Sequence, residues 1–179
     1  VSDIIGDRAK FSAGWQGGLP ETPCGSGSTM ARTRAQRAWL PGMLERHRVR
    51  SIADIGAGDL NWIQATAIPA GVAYTAYDLV PRHPRVQPFD LVVDIPPPVD
   101  LIMCLWVLNH MPYAAARQAI ANLRASRARL LLMTDRPRWH HEQPPDIHMP
   151  HIEELDLGTD AGDRLLLIDL AALRAAAPC

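Results

Sequence analysis

Three cysteines in 179 residues, Cys24, Cys104 and Cys179, are an odd number with no Cys-x-x-Cys pair. That argues against both a disulfide framework and a zinc knuckle. Lysine is nearly missing too: Lys10 is the one lysine among 18 cationic side chains, and no chemistry follows from it. With 19 acids the formal net charge is -1. So small a charge creates no field for a polyanion, so nucleic acid is not indicated and would need a local patch. No apolar run approaches the roughly 20 residues of a membrane-spanning helix, so no membrane partner is expected. The opening VSDIIGDRAK lacks a basic stretch followed by an apolar one, so no secretory signal is read. A reducing cytoplasm is the expected compartment.

What is present is ordinary globular composition, 47% hydrophobic and 21% charged, in a length that suits one domain. Residues 1–48 read as an arm followed by helices, and residues 49–179 as an α/β core. The arm is centred on GWQGGLPETPCGSGST, a turn-rich stretch. Ser28 or Thr29 is placed to cap a helix through MARTRAQRAWL, which Pro41 either kinks or divides from a second helix, PGMLERH. Strands are expected at 49–56, 72–78, 89–95, 99–108, 128–135 and 163–170, with a short helix in NWIQATA and a longer one over 113–125. Alternating strands and helices predict a doubly wound, mostly parallel sheet with helices on both faces. Only ten residues, three of them prolines, separate Asp78 from Phe89. A crossover helix hardly fits there, so the connection after the second strand reads as trimmed.

In such a sheet, ligands bind beyond the carboxyl ends of the strands. The first turn there is Asp54-Ile55-Gly56-Ala57-Gly58-Asp59, in which Gly56 and Gly58 allow close backbone approach. A dinucleotide fingerprint needs a third glycine where Asn61 stands, and its pyrophosphate would be repelled by Asp59. A nicotinamide oxidoreductase is therefore disfavoured. Asp54 and Asp59 suit instead a cationic nucleoside such as S-adenosyl-L-methionine, with its sulfonium and ammonium. The plain alternative is a tight, ligand-free turn with a capping acid. Asp78, followed by Leu79, closes the next strand twenty residues after Gly58, where an acid binds a ribose diol. Asp94 is placed either to reach the adenine amino group or to make an ordinary turn. In the arm, Gly27, Ser28 and Thr29 precede a helix start able to receive the methionine carboxylate, with Arg37 two turns on. The arm is expected to fold over the cofactor. The alternative is a loose tail.

The series DIGAGD, YTAYD, VVD and DLIMCLWVLNHMP resembles the motif order of class I S-adenosylmethionine-dependent methyltransferases, whose Rossmann-like fold matches this reading. More narrowly, the arm and the turn resemble a group of small bacterial and phage methyltransferases. The matching residues are Trp15, Gly17, Gly18, Gly25, Gly27, Ser28, Thr33, Arg37, Asp54, Gly58, Asp59, Asn61 and Trp62. The likeness covers roughly residues 15–135. The chain departs from it after the ribose-binding acid, where the family has a longer segment, and in the loop after the fifth strand. The resemblance implies that Trp15 joins the cofactor site and that Cys104, Leu105 and Trp106 face the transferring methyl group. His110 matches a histidine that acts either as a base toward the acceptor or as a helix cap. Cys104 reads as a small buried hydrophobe rather than a nucleophile.

His140, His141, His148 and His151 fit no zinc signature, so no metal is expected. The loop that holds most of them, with Trp139, His140 and His141 foremost, reads as an acceptor contact. The activity expected is methyl transfer from S-adenosyl-L-methionine to an O- or N-nucleophile, a small molecule or an exposed group on a larger one. The rival is a catalytically silent S-adenosylmethionine-binding subunit of a larger complex, and either reading allows a homodimer or a protein partner.

Overall fold

The structure, a computed structural model, describes residues 18–135, 150–159 and 162–176. After a 3-10 turn at Ser26–Ser28, the first helix, α1, spans Arg34–Arg46. Strands β1 (Ser51–Ile55), β2 (Ala73–Asp78), β3 (Val86–Pro88) and β4 (Leu101–Cys104) follow. Then come α2 (Tyr113–Ala125), β5 (Leu130–Asp135), β6 (His151–Asp156), β7 (Arg164–Asp169) and α3 (Leu170–Ala176). The seven strands form one sheet in the order β3-β2-β1-β4-β5-β7-β6. β1 to β5 pair in parallel, and β7 runs antiparallel to both β5 and β6. Chain direction across the sheet reverses between β1 and β4, which opens a crevice at their carboxyl ends.

The two-residue period of the strands divides the core between two faces. Ile52, Leu101, Met103, Leu130, Leu132, Leu165 and Leu167 lie on one face, against Leu40, Met43 and Leu44 of α1. Ala53, Ile55, Ile102, Cys104, Leu131, Met133 and Ile168 lie on the other, against Ala119, Ile120 and Leu123 of α2 and Leu170 of α3. Helices thus cover both faces, as expected. β4 is buried at all four positions because helices close it above and below.

Several local expectations are corrected. Residues 89–95 are not a strand. The edge strand β3 precedes them, and Asp90 turns the chain: its side chain accepts from Val92 N at 3.0 Å and its carbonyl from Asp94 N at 2.7 Å. An aspartate that binds its own following backbone favours a turn over a ladder. Pro41 neither ends nor divides the helix, since α1 runs through it with Leu40, Met43 and Leu44 all buried. Burial of that face outweighs one missing backbone bond. The helix begins at Arg34, not after Ser28. Thr29 instead closes a preceding turn, its Oγ1 accepting from Arg32 N at 3.3 Å. NWIQATA yields a single 3-10 turn, Ile63–Ala65. β6 is not among the strands expected. Its outer side chains are exposed, Ile152 among them, so it carries no apolar alternation. Among the described residues, no helix is long and apolar enough to cross a membrane.

Candidate functional site

The carboxyl ends of β1, β2 and β4 open into a cavity of about 460 Å³ that the arm closes from the side. Gly56 has φ +83°, and a Cβ there would lie 2.2 Å from Val107 Cγ2. Gly58 has φ +61°, and its Cβ would lie 2.8 Å from Cys24 Sγ. Both positions therefore demand glycine, one for the loop after β4 and one for the arm. Gly56 N and Ala57 N donate to Tyr77 O at 2.8 and 3.0 Å, which fastens the turn to β2.

Asp78 organises the rim. Its Oδ2 accepts from Gly58 N at 2.9 Å and its Oδ1 from Val80 N at 3.0 Å. Burial raises its carboxyl above the usual carboxylate range in spite of those donors. Asp54, 4% exposed, lies on the α1 side of the sheet and accepts from Tyr74 Oη at 2.5 Å. Burial pushes its carboxyl up to about 7, the Tyr74 hydrogen bond works against that, and Asp78 adds to it.

The arm is pinned by Asn61, whose Nδ2 donates to Ser28 O and to Glu21 Oε1, each at 2.9 Å. This holds Cys24, Gly25, Ser26, Gly27 and Ser28 along the cavity wall. Gly27 rests on Trp106, where a Cβ would stand 3.5 Å from the indole. Trp106 has φ +59°, and its N donates to Thr134 Oγ1 at 3.0 Å. An aromatic residue in the left-handed region is uncommon and clusters where a ligand or switch is built.

The structure brings Gly27, Ser28, Asp54, Gly56, Gly58, Asp78, Leu79, Leu105, Trp106 and His110 onto one wall. Five other expected residues stand off it. Thr29 is spent on its turn. Arg37 points back along α1, donating to Thr33 Oγ1 at 3.3 Å and to Met30 O at 2.9 Å. Asp59 caps its own turn through Asn61 N at 3.2 Å. Asp94 is exposed, and its Oδ2 accepts from Asp90 N. Cys104 is 1% exposed inside the sheet, where burial pushes its thiol up to about 12. Trp15, Trp139, His140 and His141 lie outside the described residues.

Sequence reasoning missed Arg32, Cys24, Asp90, Leu91 and Met111, which also line the cavity. Arg32 is held by Asp163, wholly buried at the β6–β7 turn, at 3.2 Å. Asp90 is the wall acid in the segment where Asp94 was expected to serve. A signal for it existed in the Asp-Leu-Val sequence directly after the proline-rich connection. His110 ends a 3-10 turn with its Nε2 3.2 Å from Asn109 Nδ2. Among the described residues, no group of three or more His, Cys, Asp or Glu is placed to hold a metal ion.

No protein-family model and no curated protein matches this sequence. Solved structures do resemble its fold. Magnesium protoporphyrin IX methyltransferase (ChlM) from Synechocystis PCC 6803, with bound SAM, superposes with a TM-score of 0.56 at 18% identity. That match covers 90% of this chain and 88% of the other. The mitomycin 7-O-methyltransferase MmcR gives 0.56 at 14% identity over 78% of this chain, and the pyocyanin biosynthetic protein PhzM gives 0.55 at 15% over 76%. The chain spans 53% and 55% of those two proteins. The fold is that of the Rossmann-like methyltransferases.

Proposed function

We propose that the chain binds S-adenosyl-L-methionine and transfers its methyl group to an O- or N-nucleophile, a small molecule or an exposed group on a larger one. The observation that carries this reading is the joint built by Asp78 and Gly58. A strand-end carboxylate, two positive-φ glycines and a glycine-rich arm converge on one cavity, and acids line it. They fit the group: the Cβ-free positions let the backbone approach a nucleoside, and Asp54 and Asp78 suit a cationic one. When bound, this cofactor supplies a methyl group already activated on a sulfonium.

The chain's own residues then bind, align and exclude water. Asp78 holds the ribose hydroxyls. Leu91, Val107 and Met111 enclose the base, with Asp90 the nearby acid. Trp106 and the Cys24–Ser28 wall shut solvent from the sulfur end. His110, which lines the same cavity, takes the proton of an acceptor hydroxyl or amine. The narrower likeness to small bacterial and phage methyltransferases belongs to this reading, as does a cytoplasmic site of action.

Calorimetric titration of the full chain with S-adenosylmethionine tests the proposal. Binding is expected, and Asp78→Ala should weaken it by on the order of 2–4 kcal/mol, since hydrogen bonds to a charged group are lost. Equal affinity in wild type and Asp78→Ala would refute the ribose assignment. One observation favours a second reading, a silent binding subunit. Val93 and Ile95, 71% and 57% exposed, continue directly from the wall residues Leu91 and Val92, and a protein partner would cover them. Cofactor consumption measured with and without such a partner separates the two.

A further inference from the structure

We propose that Arg32 receives the methionine carboxylate of the bound nucleoside, at the end of the cavity farthest from the base. The inference rests on the cofactor reading above and adds one binding residue to it. S-adenosylmethionine is a linear molecule with cations at its sulfur and amino groups and a single anion, the terminal carboxylate. The acids that suit its cations, Asp54, Asp78 and Asp90, repel that anion. A cation of the wall must therefore meet it.

Three side chains of the wall can carry positive charge: Arg32, Arg82 and His110. Their places along the sheet separate them. The strand order β3-β2-β1-β4-β5-β7 acts as a ruler along the cavity. Leu91 stands after β3, Asp78 closes β2, Gly58 lies in the turn after β1, and Trp106 follows β4. Arg32 belongs to the arm side, but Asp163 holds it directly before β7, which starts beside the carboxyl end of β5 through the pairing of Arg164 with Asp135. With the ribose on Asp78 and the base by Leu91, the ligand beyond its sulfur runs the other way, past Gly58 and Trp106 toward Arg32. Arg82 acts on Asp78, beside the ribose, and so stands at the wrong end. His110 takes the acceptor's proton and is not a fixed charge.

The Arg32 guanidinium is held without being saturated. Its Nη2 donates to Asp163 Oδ2 at 3.2 Å, and Thr159 Oγ1 donates to the same oxygen at 2.9 Å. The Asp163 side chain is 0% exposed and makes a fixed anchor, whereas the Arg32 side chain is 41% exposed and lines the cavity. Among the described residues, Nε and Nη1 of Arg32 have no hydrogen-bond partner. Donors thus remain for a second carboxylate, which the planar guanidinium suits. Gly27 rests on Trp106, so the segment that covers the sulfur end carries this cation five residues on. The contact expected of Arg37 falls to Arg32 because Arg37 is turned inward onto Thr33 and Met30.

Calorimetric titration of the full chain with S-adenosylmethionine and with its decarboxylated analogue, S-adenosylmethioninamine, tests this. The two share base, ribose, sulfonium and ammonium and differ in the carboxylate alone. The wild type should prefer S-adenosylmethionine by about tenfold, the low end for a charge-assisted hydrogen bond, because Arg32 is partly in solvent. Arg32→Met should remove most of that preference by weakening S-adenosylmethionine alone. Arg32→Lys, a point charge without the fork, should keep part of it. Equal affinities of the wild type for the two ligands, or a preference unchanged in Arg32→Met, would overturn the inference, leave the cofactor reading intact and assign Arg32 to an anion of the acceptor. Equal weakening of both ligands in Arg32→Met would overturn it as well, marking the arginine as structural. Should Arg32→Met fail to fold with Asp163 left buried and unpaired, the double variant Arg32→Met with Asp163→Asn removes both charges and is judged by the same ratio. If S-adenosylmethionine does not bind the wild type, the cofactor reading fails and this inference with it.

Discussion

Asp54 stores a conflict that folding creates and a cation would relieve. The carboxyl lies on a sheet face made for Leu101, Met103 and Leu130, where an anion is poorly solvated. Burial raises its folded value to about 7 from the ordinary 3.8. A raised carboxyl contributes stability that is fully present below its unfolded value and is lost as pH climbs through the folded one. Hence the ligand-free protein should lose stability from this group between about pH 4 and pH 7. Asp54→Asn should be more stable than the wild type by on the order of 1–3 kcal/mol at pH 8, and about equal to it at pH 4. Urea unfolding at the two pH values checks this, and an identical difference at both would show that Asp54 does not titrate in the fold. At this scale the sequence was informative where the chemistry is local. Gly56, Gly58 and Asp78 stand at fixed distances along one βα turn and the next strand end. Arg32 was not legible, because what directs it is Asp163, 131 positions away. Arg37, with the same side chain, is turned inward by Thr33 and Met30.

Elements were legible in proportion to how fully they are buried. β4, β5 and β7 are apolar runs closed on both faces, and they lie inside the spans expected for them. α2 matches residues 113–125 because Ala116, Ile120 and Leu123 recur on its buried face. Edges were misread. β3 and β6 close the two ends of the sheet, where one side of a strand meets solvent and periodicity fades. β6 adds side-chain ties to its ladder, with Arg46 and His47 both on Glu153. The arm adds to the cavity wall rather than to the sheet. Its residues 18–29 supply part of the cavity wall but none of the sheet-face clusters. A chain beginning at Met30 should therefore fold with a thermal midpoint within a few degrees of the full chain. It should bind S-adenosylmethionine at least tenfold more weakly, about 1.4 kcal/mol. Undiminished affinity in that chain would mean that the segment is a tail and that the cavity functions without it.

Across the whole molecule, the division at residue 48 marks a place along the chain, while the packing runs through it. Leu40, Met43 and Leu44 of α1 are 1%, 0% and 1% exposed, and they cover the same sheet face as β1, β4, β5 and β7. Polar ties repeat the pattern. Arg129 Nη2, just before β5, donates to His47 O at 2.7 Å, and Glu153 of β6 grips the end of α1. The core from residue 49 onward thus lacks one of its two layers when α1 is removed. Fully burying a large apolar side chain contributes about 1.5–3 kcal/mol, so these three account for roughly 5–9 kcal/mol. Total stabilities of domains are about 5–15 kcal/mol. The comparison leaves little or nothing for residues 49–179 alone. That fragment should show no cooperative thermal transition and should expose apolar surface, whereas the full chain should unfold in a single transition that α1 and the sheet share. Differential scanning calorimetry of the two, with dye binding to report exposed apolar surface, makes the test. A sharp transition in the shorter chain would establish the α/β core as an independent domain and α1 as an accessory. Without one, the helix that lies between the arm and the sheet is part of the scaffold that holds the cavity open, and arm and core act as one unit.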